Sequence, residues 1–174
     1  MARREISFRE ARAADAAAFG SFMRTVLAET DYLVMDESGF SFGLEDLKAI
    51  LHQKEASPRD FVFLAFLDEE VVGAVTVASS TQQALAHIGT VFVAVKKAYW
   101  GQGIGRLLLE EVCVWAEEMG VLARLELTVQ TRNERAVALY QQIGFAIEGV
   151  KPRGVRTSEG EWADLYYMGL LLGE

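Results

Sequence analysis

The sequence predicts a single α/β domain built on a mixed β-sheet with helices on both faces. Three apolar segments of β-type composition, 61–67, 71–79 and 88–95, follow one another closely, which is typical of antiparallel strands. From residue 103 onwards helical and β-type segments alternate, as they do in sheets covered by helices. The chain has 174 residues, of which 51% are hydrophobic, so it can bury one core without disulfides. We therefore expect one domain over residues 1–174.

The N-terminal half is expected to supply a strand, two helices and the hairpin. Residues 6–10 form a short β-type run, and Asp15 is expected to cap a helix that continues to about Thr30. The apolar face of that helix comprises Phe19, Phe22, Met23, Val26 and Leu27. Residues 44–53 are predicted to be helical, whereas 31–42 mixes aromatic and acidic residues without regular spacing.

The C-terminal half is expected to begin with a long amphipathic helix over residues 103–119, which Gly120 ends. Its predicted buried stripe consists of Ile104, Leu107, Leu108, Val112, Trp115 and Met119. A β-type run follows at 125–129, and the segments 146–153 and 162–172 complete the sheet as a hairpin.

A glycine-rich loop lies between the β-type run at 91–95 and the long helix. Such a loop places several backbone N–H groups at the positive end of a helix dipole, an arrangement that binds phosphate. A dinucleotide fingerprint, G-x-G-x-x-G, that began at Gly101 and Gly103 would need its third glycine at position 106. The chain has Arg106 there, and its last glycine, Gly105, comes one residue early. No Gly-Lys pair of a nucleotide-triphosphate loop occurs. The loop is therefore either a backbone cradle for a pyrophosphate or an ordinary strand-to-helix turn.

A second motif follows the β-type run at 125–129. Asn133 is the expected N-cap of a helix, and Gly144 supplies its left-handed end. The helix repeats apolar or aromatic residues at helical spacing, namely Ala136, Leu139, Tyr140 and Ile143. Taken alone, Tyr140 is more typical of a half-buried core residue than of a catalyst.

Together the two motifs resemble the GNAT superfamily of acetyl-CoA-dependent N-acetyltransferases. That family carries a [Q/R]-x-x-G-x-[G/A] loop and an N-x-x-A-x-x-L-Y-x-x-x-G-F helix. Residues 100–105 align with the first, although Trp100 replaces the leading Arg or Gln, and residues 133–145 match every fixed position of the second. The resemblance covers nearly the whole chain. The segments 6–11 and 160–168 resemble the family's first and last strands, the latter in the branch that acts on amino acids, antimetabolites or polyamines.

The resemblance implies a GNAT-like, mostly antiparallel twisted sheet in which a parallel strand pair splays to admit acetyl-CoA. Backbone groups of Val93 and Val95 would pair with the pantetheine arm, and the loop amides would hold the pyrophosphate. The donor-binding set it implies is Val93, Val95, Trp100, Gly101, Gln102, Gly103, Ile104, Gly105, Arg106, Asn133 and Tyr140. Tyr140 would be the catalytic acid that protonates the departing thiolate, since a phenol with a pKa near 10 is protonated at pH 7.

Candidates for the general base and for the acceptor site are less specific. Glu126 alternates with apolar residues, so its side chain is expected on the opposite face of the sheet. It is the predicted general base, which would accept a proton directly or through water. The alternative is a carboxylate that only hydrogen-bonds to a neighbouring strand. His87 is a second candidate, although a solvated strand end explains it as well. Glu29 and Asp31 are predicted to bind a cationic substrate, or else to form a solvated turn, and Asp164 is equally ambiguous.

Composition excludes several classes of function. A net charge of −8 and a pI near 4.9 argue against nucleic-acid binding. No apolar run approaches the ~20 residues of a membrane span. The only cysteine, Cys113, and the only histidines, His52 and His87, lack metal-ligand spacing, so we expect no metal site and a cytoplasmic protein.

Three functions remain open. We expect an N-acetyltransferase that transfers acetyl from acetyl-CoA to a small-molecule amine by direct attack in a ternary complex. The alternatives are a protein N-terminal α-amine acetyltransferase and a non-catalytic CoA-binding module, which would have no need of a phenol near the sulfur. The aromatic-rich segments 32–42 and 162–167 further predict a homodimer, and a solvated rim around the acceptor pocket is the alternative.

Overall fold

A seven-stranded sheet forms the centre of the computed structural model, which describes residues 4–34 and 40–173. The strands are β1 (Ile6–Glu10), β2 (Phe61–Leu67), β3 (Glu70–Ser79), β4 (Ile88–Val95), β5 (Arg124–Gln130), β6 (Ala146–Arg156) and β7 (Trp162–Leu171). Their order is β1-β2-β3-β4-β5-β7-β6. Every neighbouring pair is antiparallel except β4 and β5. The predicted mixed, mostly antiparallel sheet with one parallel pair is confirmed.

Four helices cover the two faces of this sheet. They are α1 (Ala16–Glu29), α2 (Leu44–Glu55), α3 (Ile104–Met119) and α4 (Glu134–Ile143), with short 3-10 turns at Ala13–Asp15, Gln83–Leu85 and Lys97–Tyr99. The helices α1 and α2 pack on one face, and α3 and α4 on the other. Part of the irregular 31–42 segment, residues 35–39, lies outside the described residues. Within the described ranges no helix is both long and apolar enough to cross a membrane.

The central strands are buried on both faces, which explains their nearly continuous apolar sequence. In β2, Leu64 packs with α1 and α2, whereas its neighbour Ala65 packs with α3. Both residues are completely buried. In β3, Ala74 and Val75 divide in the same way. Because successive side chains of a strand point to opposite faces, a sheet with helices on both sides needs apolar residues at every position.

The buried face of α3 differs from the predicted stripe. Leu107 and Met119 are exposed, whereas Leu109 and Ala116 are buried. The helix approaches β3 at Gly73, where a Cβ atom would lie only 3.0 Å from Cγ2 of Ile104 and 3.2 Å from Cδ1 of Leu108. The predicted residues Ile104 and Leu108 thus pack closely on the sheet, and Leu109 and Ala116 complete the buried face in place of Leu107 and Met119.

Asp15 stands at the N-cap position of α1 as predicted, but its side chain makes no capping hydrogen bond to that helix. Its carboxylate accepts two hydrogen bonds from the guanidinium of Arg9, at 2.7 and 2.8 Å, and one from the backbone N–H of Arg12 at 2.7 Å. It therefore caps the 3-10 turn that precedes the helix and joins it to β1. The hydrogen bonds from Arg9 are the largest cause of the lowered pKa of Asp15.

Asp15→Asn is expected to destabilise the protein by about 1–3 kcal/mol, because it removes the charge of a nearly buried carboxylate and leaves its half-exposed partner Arg9 in place. A lowered carboxyl pKa contributes stability above the unfolded value near 3.9, and this contribution is lost as the pH falls through the folded value. The difference in unfolding free energy between wild type and variant should therefore have its full size at pH 7 and decrease below about pH 4.

Denaturant unfolding at several pH values measures this effect. Asp68→Asn is the matched control, because the Asp68 carboxylate forms a solvent-exposed ion pair with Arg4 at 3.8 Å. An equal loss in both variants, or a loss for Asp15→Asn that does not depend on pH, would contradict the expectation.

Candidate functional site

The parallel strands β4 and β5 pair over only part of their length. Residues 88–90 pair with 124–126, and the pairing ends there. Further along, β4 stays paired with β3 as far as Val95, and β5 stays paired with β7 as far as Gln130. The two strands therefore diverge towards their carboxyl ends and leave an opening in the sheet.

The backbone of β4 presents free polar groups to this opening. Lys96 donates its N–H to the carbonyl of Val72 at 2.9 Å, so the alternation of an antiparallel ladder turns the N–H and C=O groups of Val93 and Val95 towards β5. The ladder with β5 has ended at that point. The carbonyl of Val95 instead accepts a hydrogen bond from Nε1 of Trp100 at 2.7 Å. Both groups of Val93 and the N–H of Val95 remain available to an extended ligand.

The glycine loop lies at the carboxyl end of β4 and opens α3. Gly101 and Gly103 have φ values of +79° and +81°, the left-handed region that favours glycine. Gly103 is the N-cap of α3 and has no side chain to satisfy the first N–H groups of the helix, and the first turn carries no acidic residue. A Cβ atom on Gly103 would meet no atom within 4 Å, so this side of the loop is open. The geometry is that of a backbone cradle for an anion.

Helix α4 begins at the same edge of the sheet, because β4 and β5 are parallel. Asn133 caps it as predicted, since its Oδ1 accepts a hydrogen bond from the N–H of Ala136 at 3.3 Å. The start of α3 packs on α4: Gly105 lies against Leu139, and Nη1 of Arg106 donates to Oε1 of Gln142 at 3.1 Å. The two predicted motifs are therefore adjacent in space.

Tyr140 lies on the buried side of α4. Only 8% of the residue is exposed, and its ring makes an edge contact with Phe145 at a centroid distance of 6.1 Å. Burial raises the pKa of the phenol to about 12. No described residue accepts a hydrogen bond from the hydroxyl. In the described part of the chain, no fully buried side-chain oxygen or nitrogen atom lacks a hydrogen-bond partner. The ring is thus packed in the core, and the hydroxyl is a protonated hydrogen-bond donor.

The side chains of two predicted donor-binding residues of the loop, Trp100 and Arg106, are both hydrogen-bonded to the protein. The indole N–H of Trp100 points back to the carbonyl of Val95 and not outwards to a ligand. The guanidinium of Arg106 is held by Glu110 and Gln142. Sequence reasoning missed a third residue, Arg135, whose Nη2 lies 3.2 Å from the position that a Cβ atom on Gly101 would occupy. The parallel order of β4 and β5, which brings both helix starts to one edge, is the only signal that could have indicated it.

Glu126 lies apart from Tyr140. Its carboxylate accepts a hydrogen bond from Nε of Arg124 at 2.9 Å, and Arg124 is also bound by Glu148. Glu126 pairs with Thr90 at the closed end of the β4–β5 pair, about 10 Å along β4 from Val93 at 3.3 Å per residue. It borders an open depression on the face opposite Tyr140. A base role for Glu126 stays a prediction, and it would require water to carry the proton.

His87 is too distant to serve the same opening. It is exposed and precedes β4, whose seven steps from Ile88 to Val95 span about 23 Å. Its backbone carbonyl accepts hydrogen bonds from Ala123 and Arg124 at the closed end of the strand pair. Among the described residues no group of His, Cys, Asp or Glu side chains is arranged to hold a metal ion.

The two predicted substrate-binding carboxylates are both engaged by the protein. Asp31 is paired with Nη2 of Arg132 and accepts hydrogen bonds from the N–H and Oγ of Ser158. The bond from Arg132 is the largest cause of its lowered pKa. Glu29 accepts a hydrogen bond from the N–H of Lys97 at 2.8 Å, next to the glycine loop. Asp31 therefore links its own segment to those of Arg132 and Ser158, and Glu29 links α1 to the end of β4.

The tail candidate Asp164 has a structural partner as well. Its Oδ1 accepts a hydrogen bond from the N–H of Arg153 at 2.8 Å, where β6 bulges and Arg153 has a φ of +50°. The bulge and the carboxylate together hold the hairpin of β6 and β7 in place.

Residues 27–145 match the acetyltransferase (GNAT) family, a stretch that contains β4, the glycine loop, β5 and α4. The crystal structure of an acetyltransferase of the GNAT family from Streptococcus pneumoniae has a TM-score of 0.93 at 41% identity, over 97% of this chain and 100% of that one. YncA from Salmonella typhimurium, solved with its cofactor acetyl-CoA, shares the fold with a TM-score of 0.84 at 22% identity, over 98% and 95% of the two chains.

Similarity to named relatives in sequence extends over shorter stretches. The chain is 30% identical to the L-amino acid N-acetyltransferase AaaT of Escherichia coli over 106 residues, 60% of this chain and 64% of AaaT. It is 42% identical to the N-alpha-acetyltransferase RimI of Mycobacterium tuberculosis over 76 residues, 44% of each chain. The chain thus covers less than two thirds of the length of either relative.

Proposed function

Because the chain belongs to the GNAT family of acetyltransferases, we propose that it transfers an acetyl group from acetyl-CoA to a primary amine of a small molecule. The acceptor would be an amino acid, a polyamine or a related amine that attacks the thioester directly in a ternary complex. The observation that carries the proposal is the meeting of the open β4 backbone, the glycine loop and the Tyr140 helix at one edge of the sheet. The similarity to AaaT supports an amino acid as acceptor.

The donor site would be built mainly from backbone groups. The pantetheine arm of acetyl-CoA contains amides, which can pair with the free N–H and C=O of Val93 and the N–H of Val95 in place of the missing strand contacts. The N–H groups at the start of α3, from Gln102 to Arg106, would hold the pyrophosphate. Asn133 is next to this edge, although its side chain already caps α4. Bound acetyl-CoA would supply the activated acetyl group.

The chemistry requires that a proton reach the departing thiolate and that the acceptor amine lose one. Tyr140 would donate the first proton, since its phenol is protonated and has no acceptor among the described residues. One of the free N–H groups of Val93 and Val95 would polarise the acetyl carbonyl, and the other would pair with the pantetheine arm. Glu126 is the proposed base only through intervening water, because its carboxylate is held by Arg124 on the other face. Of the two carboxylates proposed to bind the substrate cation, Glu29 is the better placed, because it lies beside the end of β4, where it is bound to Lys97.

A second candidate is acetylation of a protein N-terminal α-amine, which the similarity to RimI favours. Free thiol release from acetyl-CoA, measured with a panel of amino acids, polyamines and N-terminal peptides, distinguishes the two functions. Turnover with free amines supports the leading proposal, and preferential turnover of peptides supports the second. Binding of acetyl-CoA without turnover of any amine would indicate a non-catalytic CoA-binding module.

We also expect a homodimer of this protein in the cytoplasm. The strand β6 ends the sheet, and apolar side chains of β6 and β7 are exposed beside it, namely Val150, Trp162, Tyr167 and Leu171. An exposed strand edge with apolar neighbours favours association with a second copy. Sedimentation velocity over a range of concentrations should show a dimer, and a monomer at every concentration would contradict this expectation.

A further inference from the structure

Arg135 is a cation beside the anion cradle that no protein group neutralises within the described residues. It lies in the first turn of α4, and its Nη2 is 3.2 Å from the position that a Cβ atom on Gly101 would occupy. No hydrogen bond or ion pair between described residues involves its guanidinium. An unpaired guanidinium directly over a glycine loop is positioned to meet an anion bound there.

The neighbouring arginine differs in this respect. Nε of Arg106 donates to Glu110 at 3.0 Å and Nη1 donates to Gln142 at 3.1 Å, so its guanidinium holds α3 against α4. Arg106 can therefore offer the cradle its backbone N–H while its charge is neutralised by Glu110.

The loop also lacks a ligand-facing polar side chain at its first position. Trp100 stands there, and its only side-chain N–H donates to the carbonyl of Val95. The Lys97 ammonium lies over the indole ring, 6.0 Å from its centroid. The cradle consequently obtains directional positive charge from outside the loop, and α4 is the element that can supply it.

We propose that Arg135 binds the pyrophosphate of the donor from α4, and that it takes the place of the side chain that the loop lacks at Trp100. This inference rests on the proposed function, because it concerns the same donor. A guanidinium presents parallel N–H groups that match two phosphate oxygens, which the compact ammonium of a lysine does not. Arg135 thereby connects donor binding to the helix that carries Tyr140.

Calorimetric titration of the folded protein with CoA tests this proposal. Arg135→Gln should raise the Kd of CoA by about tenfold and make it less sensitive to salt, since one charge-assisted contact is lost. Arg135→Lys should recover only part of the affinity. Arg59→Gln is the matched control: it removes the same charge before β2, at the opposite end of the sheet from the loop. It should leave the Kd unchanged.

Two shortened probes identify the phosphate that Arg135 holds. The effect of Arg135→Gln should persist with dephospho-CoA, which keeps the pyrophosphate, and disappear with pantetheine, which has none. An effect confined to intact CoA would place the 3′-phosphate at Arg135 and overturn the pyrophosphate assignment. Equal CoA affinity in wild type and Arg135→Gln would overturn the proposal altogether. If the wild type itself bound no CoA, the proposed function would fail first, and the two failures are thereby distinguished.

Discussion

Tyr140→Phe is expected to lower kcat by roughly 10² to 10⁴, the usual contribution of a positioned acid. The substitution removes one hydroxyl and keeps the ring that packs against Phe145, so folding and donor affinity should survive. Steady-state kinetics with saturating acetyl-CoA and the best acceptor measure the change. A kcat within about twofold of wild type would show that Tyr140 is only a core residue, because thiolate is a good leaving group and water would then suffice.

The pH profile of the wild type provides a second measurement. Because burial raises the pKa of Tyr140 to about 12, the phenol stays protonated throughout the usual assay range. No descending limb from this acid should therefore appear below about pH 11. The same raised pKa makes the folded state lose stability as the pH rises from about 10 to 12, since the unfolded phenol ionises first. Tyr167→Phe, which removes an exposed phenol on β7, is the control and should leave kcat within about twofold of wild type.

The elements around the site could be predicted because their signals are local. The cap Asn133, the helical repeat after it and the stop at Gly144 all lie within one short segment, and the structure places α4 over Glu134–Ile143. The glycine loop is equally self-contained, since the left-handed φ values of Gly101 and Gly103 need no distant partner. Even the family resemblance depends on these two segments.

The carboxylates could not be assigned in the same way, because their partners are remote in sequence. Asp31 is bound by Arg132, about 100 residues away, and by Ser158, which is 127 residues away. Glu29 meets Lys97 across 68 residues. From sequence alone each looked free to bind a substrate cation. Only the folded chain shows that Asp31 is already neutralised and that Arg135 has no partner within the described residues.

The choice of helix face illustrates a related limit. Leu107, Leu108 and Leu109 are consecutive, and periodicity alone allows either outer residue to share the buried face with the central one. The structure buries Leu108 and Leu109, and α3 packs closely on the sheet where Leu108 meets Gly73. Such a contact depends on the approach of two elements and leaves no trace in the local pattern.

Gly103→Val is expected to weaken acetyl-CoA binding by about 100-fold, the loss of two charge-assisted hydrogen bonds at the cradle. Gly103 has a φ of +81°, which a β-branched residue adopts only with strain. Because glycine has no Cβ atom, this side of the loop is open. A side chain there would both shift the first N–H groups of α3 and occupy the space that the pyrophosphate needs. Calorimetry with CoA on the folded variant measures the loss.

Two further glycines separate strain from blocked access. Gly120 has a φ of +64° at the other end of α3, so Gly120→Val imposes comparable backbone strain far from the cradle. It should reduce stability and leave the Kd of CoA unchanged. Gly105→Ala places its Cβ 3.5 Å from Cδ2 of Leu139, an ordinary contact that faces α4 and not the ligand, so its effect should be several-fold at most. Equal affinity loss at Gly103 and Gly120, or none at Gly103, would contradict the assignment of this loop as the pyrophosphate cradle.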